Sequence, residues 1–121
     1  MKQKYIKGDI VMYDNKIHTI IDTLGLNNYE LSYVRHTVNR AELSGFPLTT
    51  EILEKNGWKK DGKWHYLKTR RAYLYTIQDA GQPDEFLICA DTDKHNLTSV
   101  SSVHQLQHLL FGLGLNSEME V

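Results

Sequence analysis

Apolar and polar residues alternate in short stretches through the first third of the chain, a pattern that predicts β-strands. The expected strands cover residues 9–13, 16–22, 29–34 and 37–43. Asp14 and Asn15 lie between the first two and tolerate the positive φ angles of a two-residue hairpin, which would place Met12 opposite Ile17. Four or five closely spaced strands predict a small SH3-like barrel or a meander.

The period changes after Pro47 and becomes that of a helix with clear signals at both ends. Thr49 suits the N-cap, and Glu51 favours the positive end of the helix dipole. Gly57 fits the left-handed position after the last turn, where Trp58 can pack back on the helix. The sequence therefore predicts a two-turn helix held by apolar contacts.

A second block of strands is expected between this helix and the end of the chain. Asp61 and Gly62 predict a type I′ hairpin turn, and further strands are expected at residues 72–77, 85–90 and 97–100. An antiparallel sheet follows from these short connections.

The last predicted helix begins after Ser102, which forms a capping box with Gln105. Apolar residues recur at helical spacing and give this helix one face to lay on the sheet. Gly112 or Gly114 is expected to end it, and residues 116–121 are expected to form a loose acidic tail.

These elements predict an α+β protein. Residues 1–46 form a strand-rich, barrel-like lobe, and residues 47–121 form a helix–antiparallel sheet–helix lobe. We expect the two lobes to pack as one compact unit, because neither alone buries much apolar surface.

Hydropathy and cysteine content indicate a cytoplasmic protein without a membrane partner. No apolar run in the 121 residues approaches the length that spans a bilayer. Cys89, the one cysteine, lies in an apolar stretch and is expected to be a buried thiol.

The charge of the chain is unevenly distributed, although the net charge is only −1. Seven basic residues and one acid lie between Lys55 and Arg71, and aromatic residues are interleaved with them. Cations neutralise phosphates and aromatic rings stack on bases, so this stretch is a candidate nucleic-acid site. The candidate binding residues are Lys59, Lys60, Lys63, Trp64, Lys68, Arg70 and Arg71. The alternative is a solvated hairpin in which Trp58 and Trp64 are core anchors.

His104 and His108 stand four residues apart on the last predicted helix, a spacing that presents two imidazoles on one side. A metal site needs more ligands, for which only His65, Asp93 and His95 are conceivable. The simpler interpretation places both histidines on the polar face, and we expect neither a metal nor another cofactor.

No catalytic constellation is recognisable. Residues 91–96 combine two aspartates and a histidine, but a tight turn between strands has the same composition. The chain has no glycine-rich loop before a helix that would cradle phosphates. We therefore expect a protein that is not an enzyme.

Three segments of the chain resemble a family of small uncharacterised proteins encoded near prophages and other mobile elements of gut anaerobic bacteria. They are the strand start at residues 8–11, the Pro-Leu-Thr helix start at residues 46–53 and the Val-His-Gln-Leu-Gln helix start at residues 102–107. The resemblance implies an accessory role linked to a mobile element and assigns no site residues.

Taken together, the sequence predicts a non-enzymatic accessory or interaction module. A protein partner is the first expectation. Nucleic-acid binding through residues 55–71 is the alternative, and a metal-dependent enzyme is a second alternative. The oligomeric state is left open.

Overall fold

The computed structural model describes residues 5–70, 72–78, 85–90 and 95–121, without the side chains of residues 95–97. The described part contains two antiparallel sheets and two α-helices, which confirms the predicted α+β class. The chain divides into two compact units, Met1–Phe46 and Pro47–Val121. No helix within the described ranges is both long and apolar enough to cross a bilayer.

The first unit is a five-stranded antiparallel sheet in the order β4-β3-β2-β1-β5. The strands are β1 (Ile10–Tyr13), β2 (Lys16–Leu24), β3 (Asn28–Leu31), β4 (Val38–Asn39) and β5 (Leu43–Gly45). The long strand β2 pairs with β1 through its first half and with β3 through its second half, and its register shifts between Ile20 and Asp22. A bulge of this kind bends a strand, so β2 serves two parts of one sheet.

The first hairpin has the predicted form. Asp14 and Asn15 have φ angles of 51° and 61°, and Met12 pairs with Ile17. The apolar core of this unit consists of Val11, Ile20, Tyr29, Leu31, Val38 and Leu43. Alternate strand positions therefore supply the core, as the sequence pattern indicates.

The strand predicted at residues 37–43 is interrupted by a 3₁₀ turn, Arg40–Glu42, that separates β4 from β5. The Asn39 side chain accepts a hydrogen bond from the Ala41 N–H at 2.9 Å, and Glu42 accepts one from the Asn39 N–H at 3.1 Å. This local capping satisfies the backbone within the turn and so competes with strand pairing.

The second unit begins with helix α1, Thr50–Lys55. The Thr49 hydroxyl accepts a hydrogen bond from the Ile52 N–H at 3.2 Å, as predicted for an N-cap. Gly57 has a φ angle of 92°, which an L-residue rarely adopts. The Trp58 N–H then donates to the Leu53 carbonyl at 3.0 Å, and the Trp58 side chain is only 2% exposed.

A second five-stranded antiparallel sheet follows, in the order β10-β9-β8-β7-β6. Its strands are β6 (Lys59–Asp61), β7 (Trp64–Lys68), β8 (Tyr73–Gln78), β9 (Phe86–Ala90) and β10 (His95–Val100). One face of this sheet bears the helices. Glu54 of α1 is bonded to His65 on that face, whose side chains also include the buried Leu74 and Ile88.

The β6–β7 turn differs by one residue from the predicted turn. Asp61 pairs with Trp64, so the two loop residues are Gly62 and Lys63. Gly62 has a φ angle of 63°, and Lys63 has no positive φ. Glycine at the first loop position is typical of a type II′ turn, in contrast to the predicted type I′ turn of Asp61 and Gly62. Asp61 is consequently a strand residue.

Helix α2 spans Val103–Gly112 and has the predicted capping box of Ser102 and Gln105. The expectation of a loose tail is wrong. The Asn56 amide donates to the Glu120 carbonyl at 2.7 Å and accepts from the Glu120 N–H at 2.8 Å. Gln107 also donates to the Ser117 carbonyl at 3.1 Å. The side-chain amides of Asn56 and Gln107 thus hold the backbone of residues 116–121 by hydrogen bonds.

Candidate nucleic-acid interface

Four aromatic side chains share the sheet face opposite the helices. Trp64 and Tyr66 alternate on β7, and Tyr73 and Tyr75 alternate on β8. All four are partly exposed, whereas residues between them, such as His65, are buried on the helix side. Successive side chains of a strand point to opposite faces, so this alternation creates one aromatic surface. We call these four residues the aromatic face.

The rings of the aromatic face contact one another. Tyr73 and Tyr75 have centroids 4.9 Å apart, and Tyr66 and Tyr73 have centroids 5.8 Å apart with nearly parallel planes, 8° from one another. Trp64 meets Tyr75 edge to face at 6.2 Å. Pairs at these separations stabilise each other, so the rings form a connected platform.

Hydrogen bonding shifts the pKa of one ring of this platform, Tyr75. The bond to the Tyr73 side chain, together with desolvation and the nearby charge of Asp61, raises the pKa of Tyr75 to about 12. The Tyr75 phenol is neutral at physiological pH, as an ordinary tyrosine is, and the raised pKa keeps it neutral in more alkaline solution.

Two lysines lie on the same side of the sheet as the rings. Lys59 of β6 pairs with Tyr66, and Lys68 of β7 pairs with Tyr73. The Lys68 Nζ lies 6.0 Å from the centroid of the Tyr73 ring. Directly opposite residues in an antiparallel pair project to the same face, so these cations flank the aromatic face.

The other predicted cations are placed differently. Lys60 pairs with His65 and so projects towards the helix-bearing face, and Lys63 is a turn residue. Arg70 is exposed beyond the end of β7, and Arg71 lies outside the described residues. Of the five predicted cations that the structure describes, two therefore lie beside the rings and three lie elsewhere.

No ion pair within the described part of the chain neutralises Lys59, Lys60, Lys63, Lys68 or Arg70. All five are exposed. Their positive charge is thus available to a ligand.

The two tryptophans have different roles. Trp58 is a core anchor, whereas Trp64 is partly exposed on the aromatic face. The alternative interpretation, in which both tryptophans anchor the core, fits Trp58 and does not fit the partly exposed Trp64. The predicted site residues did not include Tyr66, Tyr73 or Tyr75, although the repeated aromatic–x–aromatic spacing of residues 64–66 and 73–75 is a signal for them.

His104 and His108 are adjacent on α2, with ring centroids 5.8 Å apart. Burial, and then the neighbouring His108, lower the pKa of His104 to about 4, and its Nδ1 lies 3.0 Å from the Ser102 hydroxyl. The described residues contain no group of three or more potential metal ligands. His65 is instead bonded to Glu54, and Asp91 and Asp93, like the His95 side chain, fall outside the description.

Comparison of the chain with protein-family models, with curated proteins and with solved structures yields no significant match. The resemblance to mobile-element proteins accordingly stays a prediction.

Proposed function

We propose that this protein binds single-stranded nucleic acid across the aromatic face. The observation that carries the proposal is the placement of four clustered, partly exposed rings beside Lys59 and Lys68 on the sheet face opposite the helices. Stacking of bases on aromatic rings and neutralisation of phosphates by cations are the two interactions that such ligands require.

The ligand is single-stranded because the rings need access to the faces of bases. In a duplex those faces are covered by neighbouring base pairs, and only groove edges and phosphates are presented. The aromatic face is part of a sheet and has no projecting helix to enter a groove. An uncharged ligand with planar rings would also stack on the aromatic face, but the two lysines would not strengthen its binding.

Lys59 and Lys60 provide a matched test of this proposal, because they are adjacent on β6 and project to opposite faces. We expect Lys59→Glu to weaken binding of a uracil octamer by about tenfold or more, and Lys60→Glu by less than about threefold. Lys59→Glu should also reduce the slope of log affinity against log salt by about 0.7, the value for one lost contact to a single strand.

The measurement is a fluorescence-anisotropy titration of labelled RNA and DNA oligomers at two salt concentrations. Equal losses in the two variants would show that the charge acts without regard to the face and would contradict the proposed site. Absence of binding to every oligomer at low salt would overturn the function and leave a protein partner as the leading candidate.

We further propose that the first unit is an SH3-like barrel, and that the chain is a binding module of a mobile element and not an enzyme. The strand order, the bent β2 and the 3₁₀ turn before the last strand support the barrel. Exposed apolar residues on this unit, among them Ile17, Ile21 and Leu26, favour a protein partner as the second candidate function.

A further inference from the structure

Asp61 is the one acidic residue in the basic segment 55–71, and it lies beside the aromatic face. It pairs directly with Trp64, and the loop of the hairpin is formed by Gly62 and Lys63. Asp61 is therefore not required by the loop conformation. Aspartate is also disfavoured in strands, so neither local need accounts for this residue.

The carboxylate of Asp61 is available to a ligand. It is exposed, and the described residues provide it with no ion pair and no side-chain hydrogen bond. Its charge reaches the Tyr75 hydroxyl, where it contributes to the raised pKa. The carboxylate thus lies at the border of the rings and close to two of them, Trp64 and Tyr75.

A carboxylate at this position repels phosphates, but its oxygens accept hydrogen bonds from base edges. Side chains of directly paired residues begin about 5 Å apart, so a base that stacks on Trp64 brings its edge within reach of Asp61. An ionised carboxylate has two acceptor oxygens and no donor. It therefore selects bases by the donors that they present.

Guanine is the base that matches this acceptor pair. Its Watson–Crick edge presents the N1–H and the N2 amino group side by side, and both can donate to one carboxylate. In adenine and cytosine the amino group is adjacent to a ring nitrogen that accepts, and in uracil the N3–H lies between two carbonyl oxygens. Single-stranded bases are commonly read on this edge.

We infer that Asp61 makes the aromatic face selective for guanine at the base that stacks on Trp64. The inference rests on the proposed function, because it requires a nucleic acid on the aromatic face. It goes further by assigning a base-selecting residue and a preferred base. The other bases of the ligand stack on the remaining rings without selection.

The test uses uracil octamers that carry one central guanine, hypoxanthine, adenine or cytosine, compared with the all-uracil octamer. A single guanine avoids the association that guanine tracts undergo. We expect the guanine octamer to bind about tenfold more tightly than the all-uracil octamer, the lower range for a good bidentate contact to a base. Hypoxanthine lacks the N2 amino group and should fall between the two.

Asp61→Asn is the informative variant, because asparagine has the shape of aspartate but carries no charge and replaces one acceptor oxygen by an amino group that donates. Its amide pairs equally with the edges of guanine, hypoxanthine and uracil, so the preference should fall below about twofold. Loss of the negative charge should also tighten binding of the all-uracil octamer. Asp14→Asn, the same change in the hairpin of the first unit, is the matched control and should retain the preference.

The outcomes separate this inference from the proposed function. Equal, salt-sensitive binding of all octamers by the native chain would overturn the selection of guanine and leave the proposed function in place. A preference for adenine or cytosine, or a guanine preference that survives in Asp61→Asn, would also overturn it. Failure to bind any octamer would overturn both.

Discussion

Lys59 and Lys60 are neighbours with the same charge, yet pairing of β6 with β7 places them on opposite faces of the sheet. The basic stretch itself was evident in the sequence, as were Trp64 and Lys68. Which of its cations lie beside the rings depends on the alternation of side chains along β6 and β7, and composition alone does not show that alternation. The turn lies one residue later than predicted, so Lys59 is opposite Tyr66 instead of Trp64, and these two rings lie on the same face.

His104 makes the stability of the fold depend on pH. Because its pKa in the folded chain is lowered to about 4 from the ordinary value of 6.5, the unfolded chain binds the proton more readily between these values. The free energy of unfolding should therefore fall as the pH decreases from about 6.5 to about 4, and this contribution should be constant at higher pH. Solvent screening at a partly exposed ring limits the loss to roughly 1 kcal/mol.

Urea unfolding at a series of pH values, with the native chain and His104→Gln, measures this effect. The variant should lose the part of the pH dependence that His104 contributes, whereas His36→Gln, a change at an exposed histidine of the first unit, should leave it in place. Identical pH profiles for the native chain and His104→Gln would show that the fold does not disfavour the protonated ring.

At the scale of elements, signals that are local in sequence were the reliable ones. The Thr49 cap, the Gly57 stop, the first hairpin and the capping box of α2 all occur as predicted, because each depends on a few adjacent residues. The 3₁₀ turn after β4 forms where capping by nearby side chains competes with strand pairing. The order of the strands depends on pairing between residues that are distant in sequence. Residues 116–121 are held by Asn56, which is about sixty positions away, so no local pattern could reveal that they are fixed.

Asn56→Ala tests this attachment. The change removes two hydrogen bonds to Glu120 and one to the Ile52 carbonyl. We expect the free energy of unfolding to fall by about 1–2 kcal/mol, since each bond contributes on the order of 0.5–1.5 kcal/mol and the site is partly solvated. Hydrogen exchange of the Glu120 amide should accelerate in the variant.

Asn27→Ala is a suitable control, because Asn27 is in the β2–β3 turn and its side chain makes no hydrogen bond to the described residues. It should change neither the stability nor the exchange of Glu120 by a comparable amount. Unaltered exchange in Asn56→Ala would mean that the amide does not hold the segment.

At the scale of the whole molecule, the chain combines two compact, strand-rich units that present different surfaces. The first exposes apolar side chains, and the second presents the aromatic face with Lys59 and Lys68, which form no ion pair with any described residue. Hydrophobic patterning was sufficient to predict the α+β class. It was not sufficient to predict the aromatic face, because partly exposed rings on one side of a sheet have the same alternation as rings in a core.

Tryptophan fluorescence can detect stacking of bases on the aromatic face, because Trp64 is partly exposed and Trp58 is buried. We expect a uracil octamer to quench the emission of the native chain but not that of Trp64→Phe, in which only Trp58 emits. Phenylalanine keeps a stacking surface, so the affinity of Trp64→Phe for the octamer should fall by less than about tenfold in an anisotropy titration. If an octamer bound the native chain without changing the emission of Trp64, the proposed stacking of bases on the aromatic face would be wrong.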